Sequence, residues 1–340
     1  MVELSLKTIK PLRFGLIGAG AIAQQAYLPV FKEFNIGQLT CLVDTDADRA
    51  LASAKDFNLS YVGKDLEAIF DYVDAVIVAV PNYLHFPISK TCLEAGKHVL
   101  CEKPMTINVR ECEELIFLAN KHSLKLSVAH VRRFYPAVEK IKEIINSKKL
   151  GDIESFDFEE GTVFSWPTVS GFFFDKEKAG GGVLMDIGFH LLDLLLWWLP
   201  YEIVHVDYED DNLGGVEAFA KIEIGFANDI TGRVKLSRLS VLKNFYTIYF
   251  EKGIVKWDPL SARRIYIEKF QESSKTIKIK KGNSVKDMLY NFIYSIQNDQ
   301  RLLVGGEDGL RVIQLIERCY NSRKVLPLEW LHGKDGVSCG

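Results

Sequence analysis

The sequence predicts two folds in tandem. Residues 1–129 read as an α/β domain with a doubly wound parallel sheet, and residues 130–340 as an α+β domain with a large, mainly antiparallel open sheet. Three observations carry this. Up to Ala129, short unbroken apolar runs alternate with amphipathic stretches, as when helices cover both faces of a parallel sheet. The first run ends in a glycine-rich turn. Beyond Gly151 the pattern becomes residue-by-residue alternation of apolar and polar side chains. At 340 residues the chain is also long for a single core.

The first strand is expected at 14–17, and Gly18, Gly20 and Ala23 follow it in the G-x-G-x-x-G/A pattern. Gly18 permits the tight turn, Gly20 lets backbone approach a pyrophosphate, and Ala23 lets the next helix pack on the strand. Ala21 and Ile22 open that helix, whose first amides face the phosphates. Its apolar side runs through Ile22, Ala26, Pro29, Val30 and Phe34. The second strand, 39–43, ends in Asp44, about 20 residues past the turn, where a Rossmann unit places the acid that binds the adenosine ribose. A carboxylate there would repel a 2′-phosphate, so NAD is favoured over NADP, which stays open. The competing role for Asp44, N-cap of a helix at 46–57, can be filled by Asp46.

Further strands are expected at 75–80, 99–101 and 126–129, with helices at 64–70, 84–95 and 108–121. Ligands of such sheets bind beyond the carboxyl ends of the strands. At one end stand Pro81, Asn82 and His85, which read equally well as a turn or as backbone lying against a nicotinamide. At another stands Cys101-Glu102-Lys103-Pro104. Pro104 keeps Lys103 out of helical geometry and presents its ammonium at the sheet mouth, where it could hold a substrate hydroxyl and favour its alkoxide. Most lysines are simply solvated, so spacing alone leaves Lys103 open.

The second domain opens with Arg132 and Arg133, which fit substrate hydroxyls, an anionic group or, slightly better, interdomain ion pairs. A helix at 136–147 follows. Strands are expected at 216–227, 230–239, 246–250, 254–257, 264–269 and 276–280, then helices at 285–300 and 307–322. The segment 163–179 is loop-like and aromatic, and Trp166 within it suits sugar stacking or subunit contact. An open sheet asks for a partner on its free face, so a homodimer or homotetramer is expected.

The helix expected at 183–199 follows Gly180-Gly181-Gly182 and is apolar nearly all round. Yet Asp186, His190, Asp193 and Trp197 fall on one stripe. Charge on such a helix is costly unless paired or used. Asp186 and His190 stand one turn apart, so the carboxylate can orient the ring and favour its protonated form, which suits general acid–base work. A self-satisfying buried pair is the competing reading, which the triple glycine and the second Asp outweigh. No further His, Cys or Glu ligands fall at matching spacing, so no metal is expected.

Bulk properties exclude other classes. Net charge is −3 with no basic block, which argues against nucleic acid or an anionic membrane as partner. The first eleven residues carry no secretory pattern. The six cysteines are scattered and suit reduced thiols in the cytoplasm. The run 187–199 is short for a membrane span and reads as a core helix.

These motifs in this order, with Pro81-Asn-x-x-His85, Glu102-Lys103-Pro104, Gly180-Gly-Gly-x-x-x-Asp186-x-Gly-x-His190-x-x-Asp193, and the closing Glu307-Asp-Gly-Leu-Arg and Ser322-Arg-Lys-Val-Leu-Pro-Leu328, resemble the glucose-fructose oxidoreductase / inositol dehydrogenase / rhizopine-catabolism (Gfo/Idh/MocA) family. The resemblance spans nearly the whole chain. It implies catalysis in a cleft between the two domains, with Lys103, Asp186 and His190 at the reacting carbon and Glu102 near the cofactor. Many members carry Trp-Arg where Phe173-Phe174 stand here, which loosens any analogy of substrate.

The expected activity is hydride transfer between NAD and a secondary alcohol or ketone of a sugar, cyclitol or nucleotide sugar. The alternatives are a redox-neutral glycosidase or epimerase that retains NAD, and a non-enzymatic NAD-binding regulator. Intact Lys103, Asp186 and His190 speak against the regulator, since binding alone does not need them.

Overall fold

The structure is a computed structural model describing residues 11–34, 36–167 and 170–326. The leader-free reading of the first ten residues, Cys339, and Pro327 and Leu328 of the closing motif lie outside the described residues. The chain falls into two compact units. One comprises Met1–Tyr135, Pro167–Phe172 and Gly282–Gln314, the other Pro136–Trp166, Phe173–Lys281 and Leu315–Gly340. In this division the first unit runs to Tyr135 and also includes Gly282–Gln314.

The first unit is built on six parallel strands: β1 (Arg13–Ile17), β2 (Gln38–Val43), β3 (Tyr61–Gly63), β4 (Ala75–Val78), β5 (His98–Cys101) and β6 (Leu126–Val128). Their order, β3-β2-β1-β4-β5-β6, is that of a doubly wound sheet. Phe14, Leu16, Val76, Ile77, Val99 and Leu100 are wholly buried, as both-sided helical cover requires. The helices are α1 (Leu28–Glu33), α2 (Ala47–Ala54), α3 (His85–Glu94) and α4 (Val109–Lys121). Asp46 and Asn108 cap α2 and α4, accepting from the Arg49 and Glu111 amides. Strand β3 was not expected, and the helix expected at 64–70 is a 3₁₀ segment, Glu67–Tyr72.

In the second unit, α5 (Pro136–Ser147), β7 (Ile153–Gly161), α6 (Lys176–Ala179), α7 (Phe189–Trp198), β8 (Ile203–Asp210), β9 (Phe219–Phe226), β10 (Thr231–Ser237), β11 (Tyr246–Phe250), β12 (Gly253–Trp257), β13 (Arg264–Lys269) and β14 (Lys275–Lys278) follow one another. Then α8 (Ser284–Gln297) lies in the first unit, α9 (Gly306–Asn321) runs from the first into the second, and β15 (Arg323–Val325) closes the described chain. The sheet has nine strands in the order β14-β13-β12-β11-β7-β10-β9-β8-β15. It is antiparallel except where β10 pairs with β7 and β15 with β8.

Strands β7 and β8 escaped the alternation pattern because each sends an acid inward. Glu160 is 2% exposed and accepts from the Tyr246 hydroxyl; Asp210 is 1% exposed and takes the Arg323 guanidinium. The core under the sheet is aromatic: Phe158 stacks on Tyr246 at 4.8 Å and meets Trp198 of α7 edge-on at 6.0 Å. The segment Lys176–Trp198 is long and apolar enough to cross a membrane by length and composition, but 78% of its most apolar window is buried in the protein. It is a core helix.

Candidate active site

The glycine-rich turn sits where three strands end. Gly18 adopts φ +98°, and a Cβ there would lie 2.3 Å from the Ala79 carbonyl oxygen, so only glycine fits. Its amide donates to Val43 at 2.7 Å. Gly20 differs: a Cβ there would meet nothing within 4 Å. The fold does not require glycine at that position, but an approaching pyrophosphate would, and the turn therefore fits a dinucleotide.

Asp44 ends β2 and is 7% exposed. Its carboxylate accepts from the amides of Ala19 (2.7 Å) and Asp46 (2.8 Å), and from Arg49 through Nε (3.1 Å) and Nη2 (2.5 Å). Burial alone would raise its pKa; these donors, Arg49 foremost, reverse that and hold it below the usual carboxylate range. Arg49 gave no sequence signal, being one polar residue on an amphipathic helix.

His85 is 1% exposed. Its Nδ1 lies 2.6 Å from the Pro104 carbonyl and its Nε2 2.8 Å from that of Val80. The ring braces the turn after β4 against the Glu-Lys-Pro loop from inside the unit. Burial pushes its pKa down, and the two carbonyls oppose this in part.

Tyr27 is a residue that the sequence reading missed. It ends a π-helical turn, Ala23–Tyr27, and is wholly buried. Its hydroxyl donates to Glu102 Oε1 at 2.6 Å, while Glu102 Oε2 takes the Lys103 amide at 3.2 Å. Burial raises the Glu102 pKa, and Tyr27 opposes this. Such π-turns recur at functional sites, but nothing in sequence marks them. Arg133 is 2% exposed, with Nη2 2.9 Å from Asp308 and Nη1 3.3 Å from the Leu303 carbonyl. Both of these partners lie in the same unit as Arg133, and Arg132 beside it is half-buried.

In the second unit the triple glycine has a structural cause. A Cβ on Gly182 would lie 1.9 Å from the Glu217 carbonyl oxygen. The Glu217 side chain, 2% exposed, accepts from the amides of Gly182 (2.8 Å) and Leu184 (3.0 Å) and from the Tyr320 hydroxyl (2.9 Å). It places a carboxylate at the positive end of the helix that follows. That helix begins as a π-turn, Leu184–Gly188, and continues as α7.

Of the four residues in the expected stripe, Asp186 and His190 are half-buried, whereas Asp193 is 1% exposed. Trp197 meets α5, with Lys142 Nζ 5.6 Å from its ring centre and 2.5 Å from its carbonyl oxygen. Asp186 accepts from Arg238 Nη2 at 2.8 Å. Trp166 is exposed at 41%, near in sequence to Phe164, which packs on Phe173 and Phe174. Among the described residues no group of three or more His, Cys, Asp or Glu could hold a metal ion.

A doubly wound sheet, a glycine turn open to a ligand and an acid at the end of β2 define a dinucleotide-binding oxidoreductase. The chain belongs to the Gfo/Idh/MocA family: the model of the oxidoreductase family's NAD-binding Rossmann fold matches residues 12–130, and that of the GFO/IDH/MocA C-terminal domain matches 138–256. The D-xylose 1-dehydrogenase [NADP(+)] of Haloarcula marismortui is 25% identical over 93% of this chain and 92% of its own. The D-glucoside 3-dehydrogenase of Escherichia coli is 31% identical over 59% of this chain and 57% of its own. Among solved structures, an aldose-aldose oxidoreductase from Caulobacter crescentus, complexed with glycerol, aligns with a TM-score of 0.84 at 25% identity, over 92% of this chain and 97% of that one.

Proposed function

We propose that the chain is a cytoplasmic, homo-oligomeric dehydrogenase that prefers NAD and oxidises a secondary hydroxyl of a sugar, cyclitol, glycoside or nucleotide sugar. The observation that carries this is that Asp186 and His190, about one helical turn apart, stay only half-buried on a largely buried helix. Gly18, Gly20, Ala21 and Ile22 would cradle the pyrophosphate, Asp44 would receive the ribose, and Pro81, Asn82 and Glu102 would border the nicotinamide, with His85 bracing that wall. When bound, the cofactor supplies the hydride acceptor. His190 takes the hydroxyl proton, Asp186 fixes the ring and stabilises the imidazolium, and Lys103 holds the substrate oxygen and favours its anionic form. Arg132 and Trp166 contact the rest of the substrate. Among the described residues, the buried thiols of Cys41, Cys92, Cys101 and Cys319 support a reducing compartment. Exposed side chains alternate with buried ones along β9 and β10 of the nine-stranded sheet, which supports a second subunit there.

The test is a screen of polyols, aldoses, glycosides and nucleotide sugars followed by NADH absorbance. Lys103→Ala and His190→Ala should abolish turnover while calorimetry still shows NAD binding; full turnover in both would reject the assignment. A second reading, turnover on retained cofactor without net NADH, is favoured by the likeness to an aldose-aldose oxidoreductase. It is separated by measuring whether product forms without NADH accumulating.

A further inference from the structure

We propose that Arg238 is a positioning residue for the acid–base pair: it fixes the Asp186 carboxylate and tempers its charge, and so sets the pH range over which His190 is a neutral base. The inference rests on the assignment of Asp186 and His190 given above.

Arg238 follows β10, and its backbone is pinned on both sides. Its amide donates to Ala218 at 2.7 Å and its carbonyl accepts from the Phe164 amide at 2.9 Å. The residue is 5% exposed. Its guanidinium carbon lies 5.3 Å from the Phe164 ring centre and 5.9 Å from that of Phe173, and the two rings pack on each other at 5.7 Å. Rings against a guanidinium shield it from water and limit its rotation. Its Nε is buried and finds no hydrogen-bond partner among the described residues. A cation so placed is stable only beside an anion, and Asp186 at 2.8 Å is that anion.

The consequence reaches His190 one helical turn on. A bare carboxylate at that spacing would draw the imidazole toward its protonated form, which cannot accept a hydroxyl proton. Arg238 offsets that pull while keeping Asp186 ionised and in place. Other charges near this helix are Asp193 on α7 itself, Glu217 with Tyr320 at the first turn, and Lys142 of α5 at Trp197. They are the same in every variant below, so they do not confound the comparison.

The test compares Arg238→Met and Arg238→Lys. Two quantities are read: the pH profile of kcat/KM for alcohol oxidation, and the midpoint of the His190 ring signal by NMR titration in the absence of substrate. Arg238→Met should move both to higher pH by roughly half a unit or more and lower kcat about tenfold, with KM for NAD changed less than about twofold. Arg238→Lys, which keeps the charge, should hold the midpoint near wild type and recover most of kcat. If the Met variant does not fold, Arg238→Gln is read in the same way. A folded neutral variant whose His190 titrates as in wild type overturns the proposal, even if kcat falls. Full turnover by His190→Ala would instead overturn the active-site assignment itself.

Discussion

Arg49 grips Asp44 by both carboxylate oxygens, with Nε 3.1 Å from Oδ2 and Nη2 2.5 Å from Oδ1. With the Ala19 and Asp46 amides, all four of the carboxylate's acceptor positions are taken by the protein. A ribose diol must therefore displace Arg49 to reach Asp44. Removing the carboxylate would leave the Arg49 guanidinium with Asp46 alone, 3.5 Å away, as its anion, and so freer to meet a 2′-phosphate. Asp44→Ser should shift the ratio of kcat/KM for NAD over NADP toward NADP by about 10–100-fold, or roughly 1.4–2.8 kcal/mol. Steady-state kinetics with each cofactor check this, and an unchanged ratio would remove Asp44 from the ribose site.

The glycines separate by cause. Gly20→Ala places a methyl where no atom beyond its chain neighbours lies within 4 Å, so stability should hold to within about 0.5 kcal/mol while NAD affinity falls at least about tenfold. Gly182→Ala drives a Cβ to 1.9 Å from the Glu217 carbonyl oxygen and should destabilise the protein by about 3 kcal/mol or more. Thermal unfolding and calorimetric NAD titration of both variants decide it. A Gly20→Ala protein with wild-type NAD affinity would contradict the cradle.

The first unit was legible because its strands are continuous apolar runs and its caps are local: Asp46 and Asn108 each accept from an amide three residues on. Lys103, Asp186 and His190 stood out as polar residues in apolar or proline-fixed settings. Residues that act at long sequence separation did not. Tyr27 reaches Glu102 across 75 positions, and Arg238 reaches Asp186 across 52. A side chain that matters through a tertiary partner leaves no periodic trace. Strands β7 and β8 were lost for a related reason, since their inward acids are tolerable only beside Tyr246 and Arg323.

Three imidazoles of the first unit carry a pH dependence. Burial pushes His85, His98 and His130 below the usual imidazole range, His130 furthest, with Arg133 and Lys103 adding repulsion there. Their folded pKa values lie below the unfolded value of about 6.5, so the unfolded chain binds more protons. The stability they contribute is therefore complete above about pH 6.5 and declines as pH falls, by up to about 1.4 kcal/mol per pH unit for each. Glu102 and Glu217, raised by burial, run the other way, losing stability as pH rises through their folded values. The share of His130 is isolated by His130→Gln. Urea unfolding between about pH 7 and pH 5 should show a shallower loss in this variant than in wild type. Parallel slopes would mean that His130 takes up its proton without unfolding.

The adjacent arginines should part company on mutation. Arg133 and Asp308 have side-chain exposures of 3% and 23%, and Asp308 also accepts from the Gly305 amide just ahead of α9. Removing the guanidinium leaves a partly buried carboxylate uncompensated. Arg133→Ala should cost about 3 kcal/mol, the low end for a broken buried pair because Asp308 keeps some solvent. Asp308→Ala should cost a similar amount, and the double variant less than the sum, since each single change strands the other partner. Arg132→Ala should leave stability within about 0.5 kcal/mol and raise KM for the substrate several-fold, with KM for NAD unmoved. Urea denaturation and two-substrate kinetics on the four proteins read both effects. If Arg133→Ala proved as stable as wild type and instead raised substrate KM, the roles of the two residues would be exchanged.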